Sequence, residues 1–215
     1  GKSTMLKNLI GLYTPLKGEV WIEGNNFVAA SGDERLFLLR KFGVMYQSGA
    51  LFGSMTVFEN VRLALDEFTA LPEQLKELVV LAKLKLVGLG AAAQKMPSEL
   101  SGGMQKRAAI ARAMVLDPRI LFLDEPSAGL DPVTAAGLDL LIKELAHQFG
   151  ITFVIVTHDL ASIYTIADRV IMLDSRTQTV IAEGKPAELR DGAIDPWVRR
   201  FFNRQPDSVP SKGDD

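Results

Sequence analysis

Ile120-Leu121-Phe122-Leu123-Asp124-Glu125 runs four apolar residues directly into two adjacent carboxylates. An unbroken apolar run of this kind predicts a strand buried on both faces, so the acids stand where the strand leaves its sheet. Ligands of open α/β sheets bind outside the carboxyl ends of the strands. Asp124 is therefore positioned to hold a magnesium ion through its water shell, and Glu125 to orient and polarise an attacking water. A solvated acidic turn is the plain alternative. It loses ground because Phe153 to Val156 ends the same way, in Thr157-His158-Asp159, which puts an imidazole at the same edge of the sheet.

The pattern on either side is α/β. Downstream, a helix over 132–149 carries Leu138, Leu141, Ile142 and Leu145 on one face; a strand over 151–156 and a helix over 159–166 follow. Such alternation, with strands that read as unbroken apolar runs, predicts a mainly parallel sheet covered on both faces. Upstream, the spacing of Leu6, Leu9 and Ile10 predicts a helix over 2–12. A strand-and-turn region over 19–27, a helix over 33–40 and a strand over 42–46 that runs into Gln47 come next. Between 48 and 115 the pattern turns mostly helical, with helices expected over 57–67, 73–86 and 102–115, and this stretch reads as a helical subdomain inserted into the α/β core. Two more strands, over 169–173 and 179–183, a short helix and a last helix over 195–202 complete one domain over 1–205. The polar stretch 206–215, with Pro and Gly, is expected to be a disordered tail.

Two further segments point to phosphate. Gly1-Lys2-Ser3-Thr4 is the second half of a phosphate-binding loop, in which backbone N–H groups at a helix start cradle phosphate, the lysine reaches the β and γ oxygens, and the hydroxyl ligates magnesium. Lys2 and Ser3 fill those roles. Four residues alone are weak, and the acidic strand end supplies the context. Leu100-Ser101-Gly102-Gly103-Met104-Gln105 precedes a second helix, with Ser101 as N-cap and two glycines that let backbone N–H groups approach an anion. One chain thus carries two phosphate-binding helix starts. In that setting His158 can contact the γ-phosphate and the charge developing on it, whereas His147, on the polar side of its helix, reads as structural.

Composition narrows the classes. The chain has 215 residues, 47% hydrophobic and 23% charged, enough for a substantial core. A net charge of -2 provides no positive field for a nucleic-acid partner. No cysteine is present, so disulfides and thiolate metal sites are excluded, and the composition suits a reducing cytoplasm. The apolar runs fall far short of the ~20 residues a spanning helix needs, so any link to a membrane must pass through a partner. The sequence opens inside the phosphate-loop pattern, and the expectation is a fragment whose loop glycine, intervening residues and preceding strand lie upstream. On that expectation this exact chain binds a nucleoside triphosphate poorly, several of the loop's N–H donors being absent from it.

In order and spacing, Gly1-Lys2-Ser3-Thr4, Gln47, Leu100-Ser101-Gly102-Gly103, Ile120 to Glu125, Gly129-Leu130-Asp131 and His158 resemble the ABC ATPase family from Gly1 to about Phe202. The resemblance implies a P-loop NTPase cassette that hydrolyses ATP with Mg2+. It also implies two cassettes packed head to tail, each ATP lying between the phosphate loop of one (Gly1, Lys2, Ser3, Thr4) and the Ser101-Gly102-Gly103 segment of the other. Gln47 would then sense magnesium and the γ-phosphate, Ser3 and Asp124 would complete the metal site, Glu125 and His158 would be catalytic, and Asp131 would bridge the dimer. Tyr46 to Phe52, Met55 to Val61, Met96 to Leu100 and Asp195 to Phe201 are similar to the ATPase subunit of bacterial lipid transporters that work with Mce-domain proteins. That narrower likeness implies phospholipid transport, an integral membrane permease, Mce-domain and small regulatory partners, and a place on the cytoplasmic face of the inner membrane.

Two surfaces follow from this reading. Leu51, Phe52 and Met55, just beyond Gln47, are expected to touch a membrane subunit or else to fill the helical subdomain's own core. Trp197, Phe201 and Phe202 form an apolar strip that serves either as an interface or as a return onto its own domain. A soluble ABC ATPase acting on DNA or ribosomes is the rival class, disfavoured by the short span from Gln47 to Leu100 and the single cassette. A non-catalytic regulatory cassette is disfavoured because Glu125 and His158 are both present.

Overall fold

Helix α1 (Lys2–Leu9) is shorter than its apolar spacing predicts, because Gly11 takes φ +75 and turns the chain away. The two-residue strands β1 (Trp21–Ile22) and β2 (Asn25–Asn26) pair antiparallel across Glu23-Gly24, both at positive φ, and α2 (Gly32–Leu39) leads to β3 (Phe42–Met45). The helical stretch then holds α3 (Val57–Phe68), α4 (Glu73–Leu86), short 3-10 turns at Gly90–Ala92 and Pro97–Glu99, and α5 (Gly102–Ala113). Strand β4 (Ile120–Asp124), α6 (Pro132–Phe149) and β5 (Thr152–Val156) follow. In this computed structural model residues 1–206 are described, and Lys2–His158 forms one compact unit. The tail expected over 206–215 lies, from 207 onward, outside the described residues.

Within that unit β3, β4 and β5 form a parallel sheet in that order, β4 in the centre. The register pairs Met45 with Leu123 and Asp124 with Val156, so the three strands finish level. Gln47, Glu125 and His158 therefore all emerge from one edge of the sheet. One face is sealed by Leu6, Ile10, Phe27, Leu38, Phe42 and Phe122, with Phe27, Phe42 and Phe122 stacked edge to face at 5.6 and 5.4 Å between centroids. On α5, Ala108, Ala109, Ile110 and Ala111 are fully buried. That helix and β3 approach so closely that a Cβ at Gly43 would lie 1.9 Å from the Ala113 carbonyl oxygen.

A second unit begins at Asp159, which N-caps α7 (Leu160–Ile166) through its side chain. Strands β6 (Val170–Leu173) and β7 (Val180–Gly184) pair antiparallel, as they must, since the connection between them is far too short for a parallel crossover. Helices α8 (Pro186–Gly192) and α9 (Pro196–Phe202) close the unit. Val198 and Phe202 are buried with Leu160, Ile163, Met172 and Leu189, while Trp197 and Phe201 pack against that cluster. The Tyr164 hydroxyl donates to the Phe202 carbonyl at 3.0 Å. Of the two roles open to the aromatic strip of α9, the structure gives it the inward one.

Candidate functional site

Three strand ends and one helix start build the site. Ser3, in the first turn of α1, donates from Oγ to Asp124 Oδ1 at 3.2 Å across 121 positions of sequence. Asp124 is buried at the last position of β4, held by ladder pairing to Val156. Glu125, the next residue, adopts φ 47, a left-handed conformation that costs a residue with a Cβ about 1–2 kcal/mol. Its own N–H donates to the Val156 carbonyl at 2.8 Å, which pins that conformation. The strained turn carries the Glu125 carboxylate to His158, whose Nδ1 lies 2.8 Å from Oε1. With a carboxylate as acceptor, Nδ1 is the protonated nitrogen, and Nε2 remains as the ring's second polar atom.

The donor set suits magnesium. Among the described residues no group of three or more His, Cys, Asp or Glu could hold a metal by itself. Mg2+ asks for less, since it binds through one or two hard oxygen ligands of the protein and takes the rest from phosphate and water. The Ser3 hydroxyl and the buried Asp124 carboxylate, already within hydrogen-bond distance, fit that pattern. The Gln47 side chain is exposed at the same sheet edge.

A residue absent from the sequence reading joins this group. Lys106 on α5 is buried and donates from Nζ to the Gln47 carbonyl oxygen. Burial pushes its ammonium below the usual lysine range, and the nearby charge of Glu125 pushes it back in part. Six residues on, Arg112 donates to Ala50 O at 2.6 Å and to Gly49 O at 2.9 Å. Asn60 of α3 is equally hidden: fully buried, it accepts from Phe52 N at 2.7 Å and donates to the carbonyls of Phe52, Met55 and Thr56. A signal existed for Lys106 and Asn60, since each is a polar residue on an otherwise apolar helix face. Held in this way, Phe52 is 49% exposed and does not fill the subdomain's core, while Leu51 and Met55 are half-buried.

The second phosphate-type helix start is that of α5 itself. Ser101 caps α5, its Oγ accepting from Met104 N at 3.3 Å, and Ser101 and Gly102 are exposed. Gly103 is buried, and its lack of a side chain has a packing reason: a Cβ there would meet Thr134 Cγ2 at 2.5 Å. Gly102 faces Leu130 less tightly, at 3.4 Å. Thr134 lies in the first turn of α6, which Asp131 caps by accepting from Val133 N at 3.1 Å and Thr134 N at 3.0 Å. The starts of α5 and α6 are thus neighbours. Bonds from the Thr134 side chain and backbone hold the Asp131 carboxyl below its ordinary range. Gly1, Lys2, Ser3 and Thr4 are exposed at the start of α1.

The family model described as "ABC transporter" matches residues 1–128. The chain belongs to the ABC transporter family. It is 42% identical over 203 residues to the "Probable ribonucleotide transport ATP-binding protein mkl" of Mycobacterium leprae, covering 94% of this chain and 58% of that protein. It is 43% identical over 204 residues to the "Intermembrane phospholipid transport system ATP-binding protein MlaF" of Escherichia coli strain K12, covering 94% of this chain and 74% of that protein. The chain therefore spans less than two thirds of the mycobacterial ABC relative. Among solved structures, an ATP-binding cassette captured as a dimer in a post-hydrolysis state with ADP and Pi superposes with a TM-score of 0.76 at 35% identity, covering 86% of this chain and 80% of that one. The cbiO1 cassette of Clostridium perfringens, part of the ABC transporter complex cbiONQ, gives 0.80 at 31% identity, covering 89% and 75%. Among the described residues no helix is long and apolar enough to cross a membrane.

Proposed function

We propose that the full protein containing this chain binds ATP and Mg2+ between two copies and hydrolyses the nucleotide to drive a transporter. The observation that carries this is the meeting of Ser3 with Asp124, next to the Glu125 and His158 pair, all at one sheet edge. Lys2 and the backbone of Gly1 to Thr4 contact the phosphates; Ser3, Asp124 and Gln47 hold the metal. Bound Mg2+ would draw charge from the phosphate oxygens. Glu125 orients the attacking water and accepts its proton, with the His158 bond fixing the carboxylate and the imidazole able to meet the γ-phosphate. Ser101, Gly102 and Gly103 present a capped helix start to the ATP of a second copy, and Asp131, at the neighbouring helix start, bridges the pair. The domain runs over 1–205, with residues 48–115 as its helical subdomain. Mutation of Glu125→Gln in the full protein keeps the shape but removes the base. Turnover is expected to fall about 100-fold or more, with ATP still trapping a dimer. Normal hydrolysis by that variant would break the assignment.

The cargo we infer is lipid, moved with an integral membrane permease and Mce-domain and small regulatory partners at the cytoplasmic face of the inner membrane. The 43% identity to a phospholipid transport protein supports this. The 42% identity to proteins named for ribonucleotide transport favours a second reading. Purifying the intact complex through a tag on this subunit and analysing its bound small molecules separates the two: phospholipid supports the first, nucleotide other than ATP or ADP the second.

A further inference from the structure

Two basic side chains leave α5 to grip one short turn. Lys106 donates to the carbonyl of Gln47, and Arg112 donates to those of Gly49 and Ala50. The turn has one main-chain bond of its own, Gly49 N to the Tyr46 carbonyl at 2.7 Å, yet Gly49 lies at φ +75 and Ala50 at φ +47, and the second is unfavourable for a residue with a Cβ. Such a conformation persists only where neighbours over-determine it. The Arg112 guanidinium also lies 6.0 Å from the centroid of the Phe52 ring, and Asn60 fixes the Phe52 backbone from α3. Behind the turn, α5 presses on β3 at Gly43, where no side chain fits. A displacement of α5 must therefore displace Gln47, and the reverse.

The first turn of this helix is the Ser101-Gly102-Gly103 start, while Gln47 belongs to the edge that carries Asp124 and Glu125. We propose that Lys106 and Arg112 are positioning residues that lock the Gln47 turn to α5, so that phosphate engaged by the helix start from a second copy sets the Gln47 side chain at this copy's own ATP. The inference rests on the paired-cassette reading above. Its physical content is narrow. Lys106 is a buried ammonium whose acceptor is a main-chain carbonyl, so it fixes the backbone of residue 47 and leaves the Gln47 amide free to turn to metal and phosphate. Arg112 fixes the next carbonyls with a planar fork, which resists rotation of the turn better than a single point donor.

The full protein, assayed for ATP hydrolysis across ATP concentrations, reads this coupling as a Hill coefficient, up to about two for two linked sites. Lys106→Met keeps the stem and removes the donor. The expected result is a Hill coefficient near one and a fall in kcat of roughly tenfold or more, because Gln47 is no longer held in register. Lys106→Arg, which keeps a cationic donor, restores the cooperativity. A folded Lys106→Met protein that melts with the parent and keeps the parent's Hill coefficient overturns the proposal, as does a parent that dimerises with ATP yet shows a coefficient of one. Should Lys106→Met fail to fold, Arg112→Gln carries the same test, with the same expected loss and the same overturning result. A parent that forms no ATP-dependent dimer by light scattering defeats the paired-cassette reading instead, which keeps the two failures distinct.

Discussion

The acid edge of the sheet and the paired starts of α5 and α6 are both suited to phosphate, and they are built on opposite plans. At the acid edge the functional groups bind one another: Ser3 to Asp124, and Glu125 to His158. Asp124, Glu125 and His158 sit at strand ends whose register leaves little freedom, and Ser3 sits at the start of α1. At the helix starts the side chains bond inward, Ser101 to Met104 N and Asp131 to Val133 N and Thr134 N. Ser101, Gly102, Asp131 and Val133 are exposed there, beside the helix-end polarity that attracts an anion. On the proposed reading the first region would hold the parts of a reaction, and the second would receive charge brought from elsewhere. On that reading a chain that carries both completes a nucleotide site by meeting a second copy, and ATP-binding cassettes similar to it have been solved as dimers.

The contrast breaks most visibly if an acid-edge residue proves dispensable. Asp124→Asn keeps the size of the side chain and its contact with Ser3 but removes the charge that would face magnesium. Turnover of the full protein is expected to drop on the order of 100-fold at low Mg2+, with partial recovery as Mg2+ is raised. Equal loss at every Mg2+ concentration would make Asp124 a structural partner of Ser3 and nothing more. Titration of activity against Mg2+ for parent and variant decides it.

Gly103→Ala probes the other region and asks why a glycine is there. The added methyl would collide with Thr134, so a stability loss of about 1–3 kcal/mol is expected in urea denaturation, whether or not nucleotide is present. Combining it with Thr134→Ser removes the colliding carbon and should recover most of that loss. If the single variant is as stable as the parent but no longer dimerises with ATP, the glycine serves phosphate approach alone. Sequence reasoning assigned both glycines to that approach, and the Thr134 methyl packed against Gly103 is a second cause it could not see.

That difference marks what the sequence makes legible. Helices α4 and α6 were readable to the residue, over 73–86 and 132–149, because caps and apolar spacing are local. The acid edge was readable because strand polarity alone brings Gln47, Glu125 and His158 to one side. The carbonyl clamps were not: Lys106 and Arg112 reach residues 59 to 63 positions away, and a donor on a helix does not announce which main-chain oxygen it will find. Nor does an aromatic strip declare whether it turns in or out. Trp197 and Phe201 turned in because α7, β6 and α8 leave an apolar face for α9 to cover.

The smallest expected effect tests whether the α6 start is a fixed element or one set by its ligand. Asp131 accepts two backbone bonds as the N-cap of α6, and bonding to Thr134 and Val133 holds its carboxyl below the ordinary value of 3.8. A carboxyl depressed on folding stabilises the native state at pH values above 3.8, where it is ionised in both states. The contribution is lost as pH falls from 3.8 through the lower folded value, because over that window the unfolded chain takes up a proton that the native carboxylate still resists. Asp131 is exposed, so solvent screens the effect and it will be slight. Asp131→Asn retains the capping oxygen and does not titrate. The difference in urea midpoint between parent and variant should therefore be constant from neutral pH down to about pH 5, then shift in the variant's favour on further acidification. A difference that stays flat throughout would mean that the cap bonds are absent in solution, and that the helix start forms only when a second copy arrives.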